Sequence, residues 1–170
     1  GCHCCRFETG MQIRPFFDTL MNTDHRLGQM DDQGVDREVL SIWTDIFGYD
    51  LPAAKGALWH TALNDSLARH CEAHPTRFSW LASGALQDAS LAARELERCM
   101  KSGAVGAIIA SHVDGENLGE CPLDEFWAAC VELGAPVFIH PAQPVAPPRA
   151  GKFALNQVVA YTADTTLTVG

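Results

Sequence analysis

Two histidines in this chain of 170 residues stand where apolar runs stop. "PVFIHP" (136–141) passes from Val137, Phe138 and Ile139 into His140 and then Pro141, and "IIASHVDGENL" (108–118) does the same at His112. An imidazole can carry a proton near neutral pH or give a lone pair to a metal, so either position could act as general acid, general base or ligand. His25, His60, His70 and His74 lie on helical patterns or their ends and read as surface or satisfied core residues. For His112 and His140 the structural and the functional reading both stay open on the residues alone.

"GCHCCRF" (1–7) is the third cluster. Cys2, His3, Cys4 and Cys5 are all metal-capable. Four adjacent residues cannot easily wrap one tetrahedral ion, and no second C-x-x-C lies downstream. On a strand, His3 and Cys5 would share one face; the alternative is a terminus with incidental thiols. Cys121 precedes Pro122 at an expected helix start, where a thiolate could be stabilised. No G-x-S-x-G offers a serine nucleophile. Arg14 in "QIRPF" could meet a substrate carboxylate, solvated surface being its plainer reading.

These positions depend on a regular alternation of elements. "DHRLGQMDDQG" (24–34) reads as a helix with a glycine stop, and "VDREVLSIW" (35–43) as a strand. Residues 51–75 keep helical spacing through Leu58, Leu63, Leu67 and Cys71. A short strand follows over 77–83, then a helix over 88–103 with an acidic N-cap. The nearly all-apolar 104–113 reads as a strand, 122–134 as a helix between Pro and Gly, and 136–140 as the next strand. "PAQPVAPPRAG" (141–151) has no room for regular structure and forms a loop over the mouth of the site; another helix begins beyond it. Strands apolar on both faces, alternating with helices, predict parallel βαβ units. The open doubly wound sheet and the (β/α)8 barrel both fit, and in both, ligands gather at the carboxyl ends of the strands. No phosphate-cradling glycine motif follows any strand.

The formal net charge of −9 argues against a nucleic-acid partner. No apolar run approaches the roughly 20 residues that span a bilayer, and no signal peptide is evident. Seven cysteines, an odd number and mostly scattered through helical patterns, read as free thiols in a reducing, cytoplasmic setting.

"RLGQMDDQGVDREVLS", the long segment from "HPTRFSWLASG" to "SHVDGENL", and "LDEFWAACVELGAPVFIHP" together resemble the amidohydrolase-2 group of metal-dependent decarboxylases. Its semialdehyde decarboxylase branch is the most similar, through the S-H-V-x-G-x-x-L turn. The resemblance covers roughly residues 24–141. It implies a (β/α)8 barrel (TIM-barrel type) and one divalent metal, zinc in the usual case. The ligands it implies are an H-x-H pair ending strand 1, a His ending strand 5 and an Asp ending strand 8, with proton work done by a His ending strand 6. His140 matches the strand-5 ligand. His3 and Cys5 fall at the H-x-H positions, on a first strand expected to pair beside 35–43, with Cys5 standing where a second His is usual. His112 matches a mouth position and is assigned the catalytic role, and Arg14 the substrate contact. The expectation is an incomplete barrel of about five βα units, one domain over 1–170, without counterparts of the strand-6 His and strand-8 Asp. The implied activity is decarboxylation of a small unsaturated or aromatic acid. The alternatives are hydrolysis of a lactone or amide, or an inactive remnant. Unpaired sheet edges, and the group's habit, point to a homodimer.

Overall fold

The computed structural model describes residues 2–6, 12–17, 22–144 and 148–169, with the side chains of 2–6 and 13–17 outside the description. The chain divides into two compact units, residues 1–38 and 39–170.

In the first unit, β1 (Cys2–Arg6) pairs antiparallel with β2 (Gln12–Phe17), placing Cys5 opposite Ile13 and Arg14 within β2. The expectation gave the first strand a place beside 35–43; the partner described for β1 is β2. A short connection can join antiparallel neighbours, whereas a parallel partner needs a long crossover. The register also shifts between His3 and Cys5. Alternation alone therefore no longer places those two residues on one face. Helix α1 (Thr23–Gln33) starts where the Asn22 side chain accepts from the His25 amide at 2.9 Å. It stops at Gly34, whose φ of 67° needs no Cβ to be accommodated.

The second unit carries the parallel layer. β3 (Glu38–Leu40), whose last two residues belong to it, pairs with β4 (Phe78–Trp80). A parallel bridge, Ala82 to Ala107, leads on to β5 (Ala107–Ala110). β5 pairs parallel with β8 (Val137–His140), Ala110 opposite His140. The strands thus lie in sequence order, β3, β4, β5, β8. A doubly wound sheet reverses its order at a switch point; the described strands show no reversal, so of the two architectures left open by the residues, the barrel type fits.

Three helices cross between these strands: α2 (Ala53–Ala73), α3 (Ala89–Lys101) and α4 (Asp124–Leu133). Asp88 caps α3 by accepting from the Leu91 amide at 2.9 Å. Phe126, Leu96, Ile108 and Ile109 are essentially without exposure, each worth about 1.5–3 kcal/mol of transfer energy as an upper bound. On α2 the expected apolar spacing holds only in part. Cys71 is buried and Leu63 and Leu67 are half-buried, but Leu58 is 74% exposed, and the fully buried stripe runs through Gly56, His60, Asn64 and Cys71. Gly56 approaches Ala85 and Gln87 closely, which lets the two polar side chains meet the chain after β4.

Other boundaries shift for local reasons. The 35–43 strand shortens to three residues and a 3-10 turn follows at Thr44–Ile46, beside the Trp43 indole bonded to Asp45 at 2.9 Å. The 141–151 loop holds a 3-10 turn at Pro148–Gly151, its residues 145–147 lying outside the described ones. A π-helical turn, Asn156–Ala160, runs into α5 (Tyr161–Val169). Among the described residues no helix is long and apolar enough to cross a membrane.

Gly106 sits where three strands converge. Its carbonyl accepts from Ala82, and a Cβ there would lie 2.5 Å from the Pro136 carbonyl and 3.2 Å from the Leu81 side chain. Gly106→Ala should cost about 1–3 kcal/mol, read as a lowered urea midpoint at unchanged m-value; a wild-type midpoint would mean the strands part easily here.

Candidate functional site

His140 closes β8 at its carboxyl end, half-buried, its ring edge-on to Phe138 with centroids 5.9 Å apart. Its Nδ1 lies 2.7 Å from the Pro141 carbonyl oxygen. A carbonyl can only accept, so Nδ1 carries the proton and the neutral ring keeps a bare Nε2. A backbone carbonyl holding one nitrogen is the arrangement that orients metal-binding histidines.

His112 does not end its strand. β5 stops at Ala110, and His112 opens a two-residue hairpin, β6 (His112–Val113) against β7 (Glu116–Asn117). The turn is Asp114–Gly115, with φ of 50° and 88°. Two positive φ values in an Asp-Gly pair define the tight turn whose twist matches a hairpin, and that ends the apolar run. The Gly115 amide donates to His112 Nδ1 at 3.0 Å, and His112 Nε2 donates to the Gln143 carbonyl at 3.2 Å. Gln143 in turn donates from its side chain to the Asp45 carbonyl at 3.3 Å. The chain after β5 thus meets the chain after β8 and the turn after β3.

Between them lies Ser111, fully buried. Its hydroxyl donates to Asp164 of α5, and its carbonyl accepts from Thr168 at 2.6 Å. Cys121 is no activated nucleophile. It lies ahead of α4, whose cap is Leu123, and burial, with the carboxylates of Glu116 and Glu120, pushes its thiol up. The side chains of His3, Cys5 and Arg14 lie outside the described residues. Among the described residues no three His, Cys, Asp or Glu side chains assemble as a metal site.

A second polar cluster escaped the sequence reading. Asn64 donates to the Ser83 carbonyl at 2.8 Å and to Glu95 at 2.7 Å, while its oxygen accepts from the Ser83 amide at 3.0 Å. His60 Nδ1 pairs with the Ser83 hydroxyl at 2.8 Å. Its Nε2 is buried with no partner at hydrogen-bond geometry, the Phe47 carbonyl being the polar group beside it. Phe47 and Tyr49 flank the ring, centroids 6.2 Å away in each case. Burial pushes the His60 pKa down to about 4, against weaker opposing pulls from the Phe47 carbonyl and Glu95. Burial alone would raise the Glu95 carboxyl; hydrogen bonds from Arg98 and Asn64 outweigh it and hold it below the usual range. Arg98 reaches on to Asp65 at 2.8 Å. A polar side chain on a helical pattern carries no mark of burial, which is why this cluster was not foreseen.

Comparison with known proteins completes the assignment. Residues 23–166 match the family described as Amidohydrolase. The 2-amino-3-carboxymuconate-6-semialdehyde decarboxylase of Dictyostelium discoideum is 31% identical over 98% of this chain and 48% of its own length. The crystal structure of 5-carboxyvanillate decarboxylase from Sphingomonas paucimobilis superposes with a TM-score of 0.78 at 28% identity, over 92% of this chain and 49% of that one. A dihydroxybenzoic acid decarboxylase from Polaromonas sp. JS666, solved with bound manganese and 2-nitroresorcinol, gives 0.74 at 26%, over 86% and 48%. The chain belongs to the amidohydrolase family, and its parallel strands are part of a (β/α)8 barrel. It spans about half the length of these relatives.

The buried His60 makes stability depend on pH. Its folded pKa of about 4 lies below the ordinary 6.5, so the unfolded chain binds the extra proton. Its contribution is therefore full above pH 6.5 and lost as pH falls towards about 4, by up to roughly 3 kcal/mol. Urea melts across this range should show wild type and His60→Asn converging at low pH. A difference that stays constant with pH would mean that His60 is not held neutral.

Proposed function

We propose that this chain carries part of a metal-dependent decarboxylase for a small aromatic or unsaturated carboxylic acid, with His140 as one metal ligand. The observation behind the ligand role is the place of His140 at the carboxyl end of β8, with Nδ1 2.7 Å from the Pro141 carbonyl, an arrangement that in a neutral ring leaves the Nε2 lone pair free. The substrate class rests on the relatives, whose names specify carboxymuconate semialdehyde, carboxyvanillate and dihydroxybenzoic acid.

His140 suits a divalent ion as one donor, and one imidazole is not a site. His3 and Cys5 remain the further ligands expected from the sequence. A thiolate at Cys5 favours zinc, while the Polaromonas relative was solved with manganese. When bound, the ion would polarise a substrate oxygen and stabilise the charge left as the carboxylate departs. The chain's own part is to hold the His140 ring in its ligand tautomer and, through Arg14, to meet the carboxylate. The second reading is the alternative drawn from the sequence, a barrel portion that binds no metal productively. Cys71, Cys99, Cys121 and Cys130 are free thiols, which supports a reducing, cytoplasmic setting. A homodimer is the expected assembly, because parallel strands with unpaired edges favour association.

Loaded with Mn²⁺ or Zn²⁺, the chain should bind about one ion, and His140→Ala should weaken binding roughly a hundredfold. His3→Ala and Cys5→Ala should each weaken it as well. A wild-type chain that retains no metal, or an His140→Ala variant that binds as well as wild type, overturns the reading. Carbon dioxide release from a dihydroxybenzoic acid tests the activity directly. In light scattering at micromolar concentration, a cooperative monomer of 18.4 kDa would count against the dimer.

A further inference from the structure

We infer that His112 is a positioning residue: its ring holds the short segment after β8 and so keeps His140 in the tautomer with a bare Nε2. Both His112 nitrogens are committed to backbone groups. Nδ1 accepts from the Gly115 amide, and Nε2 donates to the Gln143 carbonyl. A proton-transfer group must present a ring nitrogen to the reactant, or reach it through one water; here each nitrogen already has a backbone partner.

What the ring holds is specific. Gln143 is a non-glycine residue with φ of 44°, a conformation that persists only where its surroundings impose it. It is gripped from two sides, its carbonyl by His112 and its side-chain amide by the Asp45 carbonyl. Two residues earlier, the Pro141 carbonyl receives the His140 Nδ1 proton. Proline fixes its own φ, and Ala142 between the two carbonyls is buried, so packing as well as torsion restrains the stretch from His140 to Gln143. A shift of the Gln143 carbonyl is passed to the Pro141 carbonyl, and from there to the His140 ring. The path from His112 to His140 therefore runs through backbone oxygens.

Two substitutions separate the functions of the ring. His112→Gln keeps a long side-chain amide that can donate to Gln143, and cannot shuttle a proton. His112→Asn keeps an acceptor for Gly115 and is too short to reach Gln143. The ¹⁵N shifts of the imidazole nitrogens report each tautomer without any metal or substrate. In wild type, His112 should carry its proton on Nε2 and His140 on Nδ1. His112→Asn should lose the His140 Nδ1–H signature, and His112→Gln should retain it. Loss in both variants, or in neither, overturns the inference. Should the variants fail to fold, His112 protonated on Nδ1 in the wild-type chain overturns it alone. A second readout rests on the proposed ligand role of His140: Mn²⁺ affinity should fall about tenfold in His112→Asn and stay near wild type in His112→Gln. If the wild-type chain binds no Mn²⁺, the ligand role fails, and the tautomer spectra still decide the positioning role.

Discussion

The in-register parallel pairing of β5 with β8 is the constraint on which the mouth depends. Parallel neighbours run in one direction, so their carboxyl ends coincide. With Ala110 opposite His140, the chain leaves both strands at one level, and Ser111 and His112 emerge beside the residues that follow His140. The pairing needs a crossover, which α4 supplies by burying Phe126, Ala129 and Cys130. It also needs Gly106 at its entry, where the Pro136 carbonyl leaves no room for a side chain. Remove the register and the His112–Gln143 contact has no geometry in which to form.

The cluster of His60, Asn64, Ser83 and Glu95 meets a different requirement. Gly56, His60 and Asn64 form one stripe of α2, and a stripe so polar can be buried only if its hydrogen bonds are made. Ser83 makes most of them, placed just beyond the Ala82 bridge, and Glu95 carries the connection to α3. Directional bonds of this kind fix how a helix is rotated against a strand end more tightly than apolar contact does, at the cost of tolerating few substitutions.

Much of the fold was legible in local signals. Gly34, Asp88 and Gly134 marked helix ends because capping is chemistry of one or two residues. The carboxyl-terminal placement of His140 followed from the apolar run before it. The hairpin at His112 was also written in the chain, as Asp114–Gly115, but the apolar residues on either side read as one continuous strand. The inward face of α2 was only partly legible: Cys71 is buried and Leu63 and Leu67 are half-buried as their spacing suggested, but Leu58 faces out and the centre of the buried stripe is polar. Only the proximity of Ser83, set by tertiary structure, makes a buried histidine and asparagine acceptable there. The sequence order of the strands likewise belongs to the whole sheet and to no single segment, so barrel and open sheet could not be separated on periodicity.

Cys99 sits on α3 one turn after Glu95, whose carboxylate ties this helix to Asn64 of α2. It is wholly buried, its sulfur donates to Glu95 at 3.4 Å, and burial together with that carboxylate pushes its thiol far up. A thiol in that state is inert to alkylating reagents, because neither the reagent nor the thiolate form is available. It becomes reactive only when α3 parts from the neighbours that bury it and the Cys99–Glu95 contact breaks. The chain therefore contains a built-in clock: the rate at which Cys99 is modified counts how often this layer opens.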